Sequence, residues 1–554
     1  MKKNLFYKII LGLVALVLLF IVATYLFIDP WLENKFRTAV NKNNSQYTID
    51  IKKVHASVFT LGFKLGTISI RTKPENREKG DILAEIESAN VEGISLKKAI
   101  FDQDFLFGEV NISNIKISGT ISGKDDDSVK IILSPLNLGI KRVHINSVNL
   151  LLNNIENSQT FSLKNVDVSL YNLHLSTQDT LSIAVLKQFE CKAELFSYTS
   201  SDSMYTASAI GFDYSTKTKT LALNTFSVRP NYPDYEFTSR LKYQSDCVHL
   251  EVNKINVADF KAIAFIKAQD VECSGISIEN MNIHVFRDMR KPTKHVNIPM
   301  LQDLIRDYPA KLNVDSIHLK NGNVKYVEHA AKANHAGRIS FNDMEAYIYC
   351  ISNDTVLKSD TNWFVLKSTA MLMDKSKLKV LLKNKLFDNQ NTFTVEGNLS
   401  GMDVRTLNPI LERNAFFYAT SGKIDKMNFN FTADKNNSSG KLTMFYHGLE
   451  IAVKNKETDD TTGLGEKIIS FIANIKILNS NPLPGDEIRV GTIEYKRDPE
   501  KFLFNYCLKS ILSGITTSMV KQPKKEVDSG NARVSVNLKI VLRFISPNKP
   551  CFSC

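Results

Sequence analysis

Beyond Pro30 the chain alternates. Residues 47–54 and 66–71 place apolar side chains at every second position, and the pattern returns at 110–119, 143–150, 275–285 and 314–326. A period of two gives each strand one apolar face and one polar face. The recurring unit is an alternation of about eight residues, a turn with Gly or Asn, and another alternation. Many such units with few helices between them predict a mainly β chain, an elongated antiparallel curved sheet. Two packed sheets, a barrel, or an open curved sheet with apolar ligand on its concave face satisfy the same alternation.

One segment departs from this period. From Ile9 to Ile28 the chain carries no charged residue, and Lys2, Lys3 and Lys8 precede it while Asp29 and Glu33 follow. A bilayer core is spanned by ~20 apolar residues in helical form. The positive-inside bias keeps the lysines in the cytoplasm and sends the body across. A cleaved secretory signal has a shorter apolar core of ~7–15 residues and a small-residue cleavage site. Here the exit runs through bulky Tyr25, Leu26, Phe27 and Ile28. The expectation is an uncleaved single-pass anchor.

A chain of 554 residues exceeds one ordinary core, so several domains or one repeating body is expected. The formal charge of +12 points to an acidic partner. For a translocated chain that means anionic lipid head groups or envelope polymers and not nucleic acid. The alternative is a solvated surface of mixed sign, because the lysines are scattered. Seven cysteines are too few for a disulfide-stapled scaffold. Cys551 and Cys554 close the sequence as CFSC, with no second CxxC to complete a zinc set.

Helical spacing punctuates the strands. Trp31, Leu32, Phe36 and Val40 mark a first short helix, lying at the membrane boundary or plugging the start of the β body. Further helices are expected at 299–308, at 403–413 and along the stripe Leu464, Ile468, Phe471, Ile472, Ile475 and Leu478, with Pro482 just past its end. Phe502, Leu508, Ile511, Leu512, Ile515 and Met519 form an amphipathic face followed by Lys521, Lys524 and Lys525. Such a face suits an anionic membrane surface or caps the sheet. The last strand, 533–544, would direct Val534, Val536, Leu538, Ile540, Leu542 and Phe544 inward as groove lining. The expected order is a cytoplasmic tip and anchor (1–30), a first β body (31–290), a helical linker (291–312), a second β body (313–500), the amphipathic helix (501–525), and a final strand and tail (526–554).

Catalytic constellations are absent from the sequence. It holds no Gly-rich phosphate loop, no GxSxG elbow and no HExxH. His144, His249, His284 and His318 fall within alternating strands and read as outward or satisfied strand residues. Glu328, His329 and His335 are the nearest approach to a metal cluster, but their spacing fits no standard site. Asp125–Asp127 and Asp459–Asp460 lack the form of a calcium loop. The reading is a non-enzymatic protein without cofactor or metal.

The anchor, the long β body and the segment GNLSGMDVRTLNPILERNAFFYATSGKIDKMNFNFTAD from Gly397 resemble the AsmA-like envelope proteins of bacteria. So do GKLTMFYHGLEIAV from Gly440 and the stretch around Arg497, Asp498 and Pro499 with its aromatic helix. The likeness spans the architecture and is specific over roughly 397–514. That family is similar to TamB and the bridge-like lipid-transfer proteins, which carry acyl chains on the apolar floor of a repeating β-groove. The resemblance implies an inner-membrane anchor and a periplasmic groove that binds or shuttles phospholipid. It further implies a part in outer-membrane lipid homeostasis, with an outer-membrane or periplasmic protein as partner. The other expectation is an envelope assembly factor with a solidly packed β body.

Overall fold

The computed structural model describes residues 27–42, 44, 46–57, 59–95, 104–122, 137–175, 188–355, 363–414, 417–453 and 477–520. The chain is mainly β and divides into two compact units. The first takes residues up to Asn231 together with Lys254–Asp270, and the second takes Tyr232–Asn253 together with everything from Val271. Segment 291–312 lies inside the second unit.

The first unit opens with α1 (Asp29–Lys42) and continues as β1 (Tyr47–Ile51), β2 (Val54–Ser57), β3 (Gly62–Leu65), β4 (Ile68–Thr72) and β5 (Ile82–Glu92). Then come β6 (Asp104–Ile121), β7 (Asn137–Asn154), β8 (Thr160–Leu175), β9 (Gln188–Thr199), β10 (Tyr205–Ser215) and β11 (Thr220–Pro230). Leu32, Phe36 and Val40 pack on Ile51, Val54, Ile68 and Ala89. Asp29 fixes the helix start by accepting from the Ala56 amide at 2.8 Å. Of the two placements expected for this helix, it plugs the start of the β body.

The second unit begins with α2 (Asp234–Ser239) and β12 (Asp246–Ala258), whose residues from Lys254 belong to the first unit, as does α3 (Ala262–Ala268). It proceeds through β13 (Val271–Cys273), β14 (Gly275–Asp288), α4 (Leu301–Arg306), β15 (Leu312–His329), β16 (Gly337–Ser352), β17 (Trp363–Leu372), β18 (Ser376–Lys385), β19 (Phe393–Leu399) and β20 (Met402–Asp403). It ends with α5 (Asn408–Asn414), β21 (Phe417–Ala433), β22 (Asn437–Val453), β23 (Val490–Lys496) and α6 (Leu503–Met519). The helices expected near 299–308 and 403–413 are thus present, the second preceded by a 3-10 turn, Val404–Leu407. The stripe from Leu464 lies outside the described residues apart from Leu478.

Two findings depart from the expected antiparallel meander. First, β6 with β7 and β13–β14 with β15 are parallel pairs. Alternation carries no information on strand direction. Second, the Asn expected at turns sits inside unbroken strands. Asn114, Ser147 and Asn165 have φ of 55°, 56° and 47°, and Asn280, Asn321 and Asp343 have 52°, 56° and 50°. Small polar residues enter this left-handed region at the lowest steric cost after glycine.

Each such residue inserts one position and flips the parity of the strand, as a bulge does. The apolar set therefore runs Val110, Ile112, then Ile115, Ile117; and Ile276, Ile278, then Met281, Ile283. Asn114 falls opposite Ser147, and Asn280 opposite Asn321, between the flanking register pairs. In the first unit the line continues through Asn165, whose side chain bonds Glu194, to Gly211 with φ 67°. Bulges bend the strands that carry them, so a line of them makes a crease with apolar residues kept on one face at both sides of it.

A candidate apolar trough

Cross-strand partners share a face of the sheet, so register alone traces what that face is made of. In the first unit one row reads Ile49, Ile70, Ala84, Ile117, Leu150, Leu163, Phe196, Ala209 and Phe226 across nine strands, without a polar member. The row beside it reads Ile51, Ile68, Ile86, Ile115, Val148, Val166, Ala193 and Phe212. Phe196 and Phe212 meet edge to face across the crease, ring centroids 5.3 Å apart. At ~4.8 Å between strands, nine strands carry the row over roughly 40 Å, well beyond the ~15 Å depth of one leaflet's hydrocarbon.

The opposite face is polar. Ser118, Leu151, Ser162, Ser197, Ser208 and Ser227 form one of its rows, with Ser208 and Ser227 hydroxyls 2.8 Å apart. Arg142 pairs with Glu109 at 3.0 Å, Lys192 with Asp213 at 3.3 Å, and Lys164 with Glu194.

From β6 to β11 no side chain of the first row is buried: Ile117, Leu150, Leu163, Phe196, Ala209 and Phe226 are all half-exposed. Phe161, one row further on, is 41% exposed. Cover on the rest of the apolar face is uneven: in the rows beside this one Val143, Val166 and Ala193 are buried. The α1 side chains lie over β1 to β5, and Ala262 and Ile263 of α3 lie over Phe189 and Tyr214.

The second unit repeats this construction with a different outcome. Its row reads Ile276, Ile317, Ile348, Leu366, Leu382, Val395, Phe431, Gly440 and Ile493, again across nine strands. Here Leu382, Val395, Phe431 and Ile493 are buried, in a cluster that takes in Met300 and Ile305 around α4 and Tyr506 of α6.

Helix α6 lies against β22 and β23 through its small polar side, with Ser510, Ser513, Gly514 and Ser518 fully buried. Ser513 Oγ accepts from the Glu494 amide at 3.1 Å, and Thr517 Oγ1 donates to the Thr492 carbonyl at 2.9 Å. These hydroxyls satisfy backbone groups of β23 that point away from β22, which is how a sheet edge is kept from further pairing. Of the amphipathic face, Ile511, Ile515 and Met519 pack on the core, Leu512 is half-buried and Leu508 is 38% exposed. The sequence reading missed the small-residue stripe at 510, 513, 514, 517 and 518, whose helical spacing was its signal. Burial draws the Lys509 ammonium down to about 8 against the attraction of Glu328.

Other expected positions resolve as follows. Val534, Val536, Leu538, Ile540, Leu542 and Phe544 lie outside the described residues, as do Lys2, Lys3, Lys8 and the anchor from Ile9 up to residue 26. No helix among the described residues is long and apolar enough to cross a membrane. His329 is buried with Nδ1 2.9 Å from the Tyr235 hydroxyl and Nε2 2.8 Å from the Ala333 carbonyl, so both nitrogens are engaged and no cluster forms with Glu328 and His335. His144 lies 3.0 Å from Ser169 Oγ, and His318 stacks on Tyr347. His249 and His284 instead converge on Asp234.

No family model matches the chain, and the search of curated proteins finds no match.

Proposed function

We propose that this protein binds lipid acyl chains along the apolar face of its first unit, holding or passing them without chemistry. The observation that carries the reading is the row from Ile117 to Phe226, apolar on every strand and half-exposed throughout β6–β11. An acyl methylene left in water costs ~0.8 kcal/mol. A continuous strip of Ile, Leu, Val and Phe offers a substitute solvent that ignores head-group identity. The charge-free run 9–28 behind Lys2, Lys3 and Lys8 supplies a tether. The reading extends, on the resemblance of the sequence to AsmA-like proteins, to a tether in a bacterial inner membrane, a body in the periplasm, and phospholipid as the cargo, in the service of outer-membrane lipid homeostasis.

The test is lipid mass spectrometry of the full chain extracted in mild detergent. Leu163→Asp with Phe196→Asp should strip bound phospholipid, while Ser162→Asp with Ser197→Asp, on the opposite face, should keep it. Equal lipid content in both, or none in the unaltered chain, overturns the reading.

A second reading, an envelope assembly factor with a packed body, rests on the second unit, where α6 and α4 fill the corresponding face. It would be favoured by a chain that carries no lipid and captures an envelope protein.

A further inference from the structure

Three donor side chains meet in the second unit. Asp234 stands in the first turn of α2, and Cys247 and His249 are alternate residues of β12, so both project from one side of that strand. Nε2 of His249 lies 3.2 Å from Oδ1 of Asp234 and 4.0 Å from Sγ of Cys247. The three donor atoms all fall within 4.8 Å of one another. On β14, His284 reaches the other carboxylate oxygen, its Nε2 2.9 Å from Oδ2 of Asp234.

We infer that Asp234, Cys247 and His249 bind a divalent transition-metal ion of the zinc type, with His284 orienting the carboxylate. Zinc bonds N and O at ~2.0–2.2 Å and S at ~2.3 Å, so tetrahedral donors stand roughly 3.3–3.6 Å apart. The observed 3.2 and 4.0 Å bracket that spacing. A mixed S, N and O set selects zinc or cobalt over calcium and magnesium, which take oxygen alone. Cys247 is fully buried, while His249 and Asp234 keep 40% and 28% of their side chains in contact with solvent. The ion would thus have a dry thiolate behind it and a fourth position open to water. On binding, the thiol releases its proton to solvent and the sulfur–metal bond forms, with no change of oxidation state. A ligating carboxylate held by its second oxygen matches the outer-shell support that metal sites depend on. The ion would pin α2 to β12.

The test uses the full chain in detergent with Cys551→Ser and Cys554→Ser present throughout, so that the terminal pair contributes no signal. Elemental analysis should find one zinc per chain. Added Co2+ should give a thiolate-to-cobalt charge-transfer band that disappears in Cys247→Ser and persists in Cys350→Ser. His249→Gln should abolish tight binding, and His284→Ala should weaken it about 10–100-fold. Zinc should also raise the thermal midpoint of the unaltered chain but not of Cys247→Ser, a comparison that needs only that each variant folds. A Co2+ band that survives Cys247→Ser, or a folded unaltered chain that takes up neither ion, overturns the assignment.

Discussion

A side-chain carbon placed on Gly491 would lie 2.0 Å from the carbonyl oxygen of Gly514, so β23 and α6 touch backbone to backbone. From the other side, a side-chain carbon on Gly514 would meet Ile493 Cγ1 at 2.7 Å and Leu442 Cβ at 2.8 Å. This contact lets a helix settle onto the apolar face of the second unit.

Gly491→Ala and Gly514→Ala should each lift α6 and destabilise the second unit by about 1–3 kcal/mol, the usual penalty for overpacking. Leu508→Ala, on the outer side of the same helix, should cost less than about 1 kcal/mol. Denaturant midpoints of the three variants decide this. Equal losses would show that the glycines do not set the helix position.

The crease makes a separate demand. Asn321 donates its side-chain amide to Oδ1 of Asn280 at 2.6 Å, and both residues hold left-handed backbone on adjacent parallel strands. Asn321→Gly preserves the conformation and should change stability little. Asn321→Val forces a β-branched residue to positive φ and should cost more by roughly 1–2 kcal/mol. Equilibrium unfolding of the pair measures the difference. A valine variant as stable as the glycine one would contradict a backbone role.

Lys509 predicts a pH dependence. Its folded value of about 8 lies below the ordinary 10.5 because the ammonium is buried. Below pH 8 the group is charged in folded and unfolded chains alike, and folding bears the burial cost. Between about 8 and 10.5 the folded chain has shed the proton and the unfolded chain has not, so stability rises with pH, by at most about 3 kcal/mol. Lys509→Met should remove this rise and be more stable than the unaltered chain at pH 7. Unfolding curves at pH 7 and 10 test it: an unchanged slope in the variant would place the dependence elsewhere.

The β class and the two-faced strands were legible because alternation reports directly on burial. The crease was partly legible: the parity step at Asn114 and Asn280 is visible in the sequence, but a polar residue between two alternations reads equally as a hairpin turn. Parallel pairing of β6 with β7 was not legible, since period two is the same in either direction. The metal-type cluster escaped because Asp234, Cys247 and His284 are brought together by strand pairing and by a six-residue helix, with no local motif beyond Cys-x-His. The trough residues escaped for a related reason. Which apolar row stays open depends on what packs over it, and α6 covers only the second unit's row.

Acyl chains held as proposed would lie on the half-exposed row of the first unit. The most direct test of that placement is a photo-crosslinking amino acid in the full membrane-bound chain at Leu150, Leu163 or Phe196, with Lys116 and Lys192 as opposite-face controls. Illumination should yield phospholipid adducts at the three row positions and none at the lysines. Adducts at all five positions, or at the lysines alone, would contradict it.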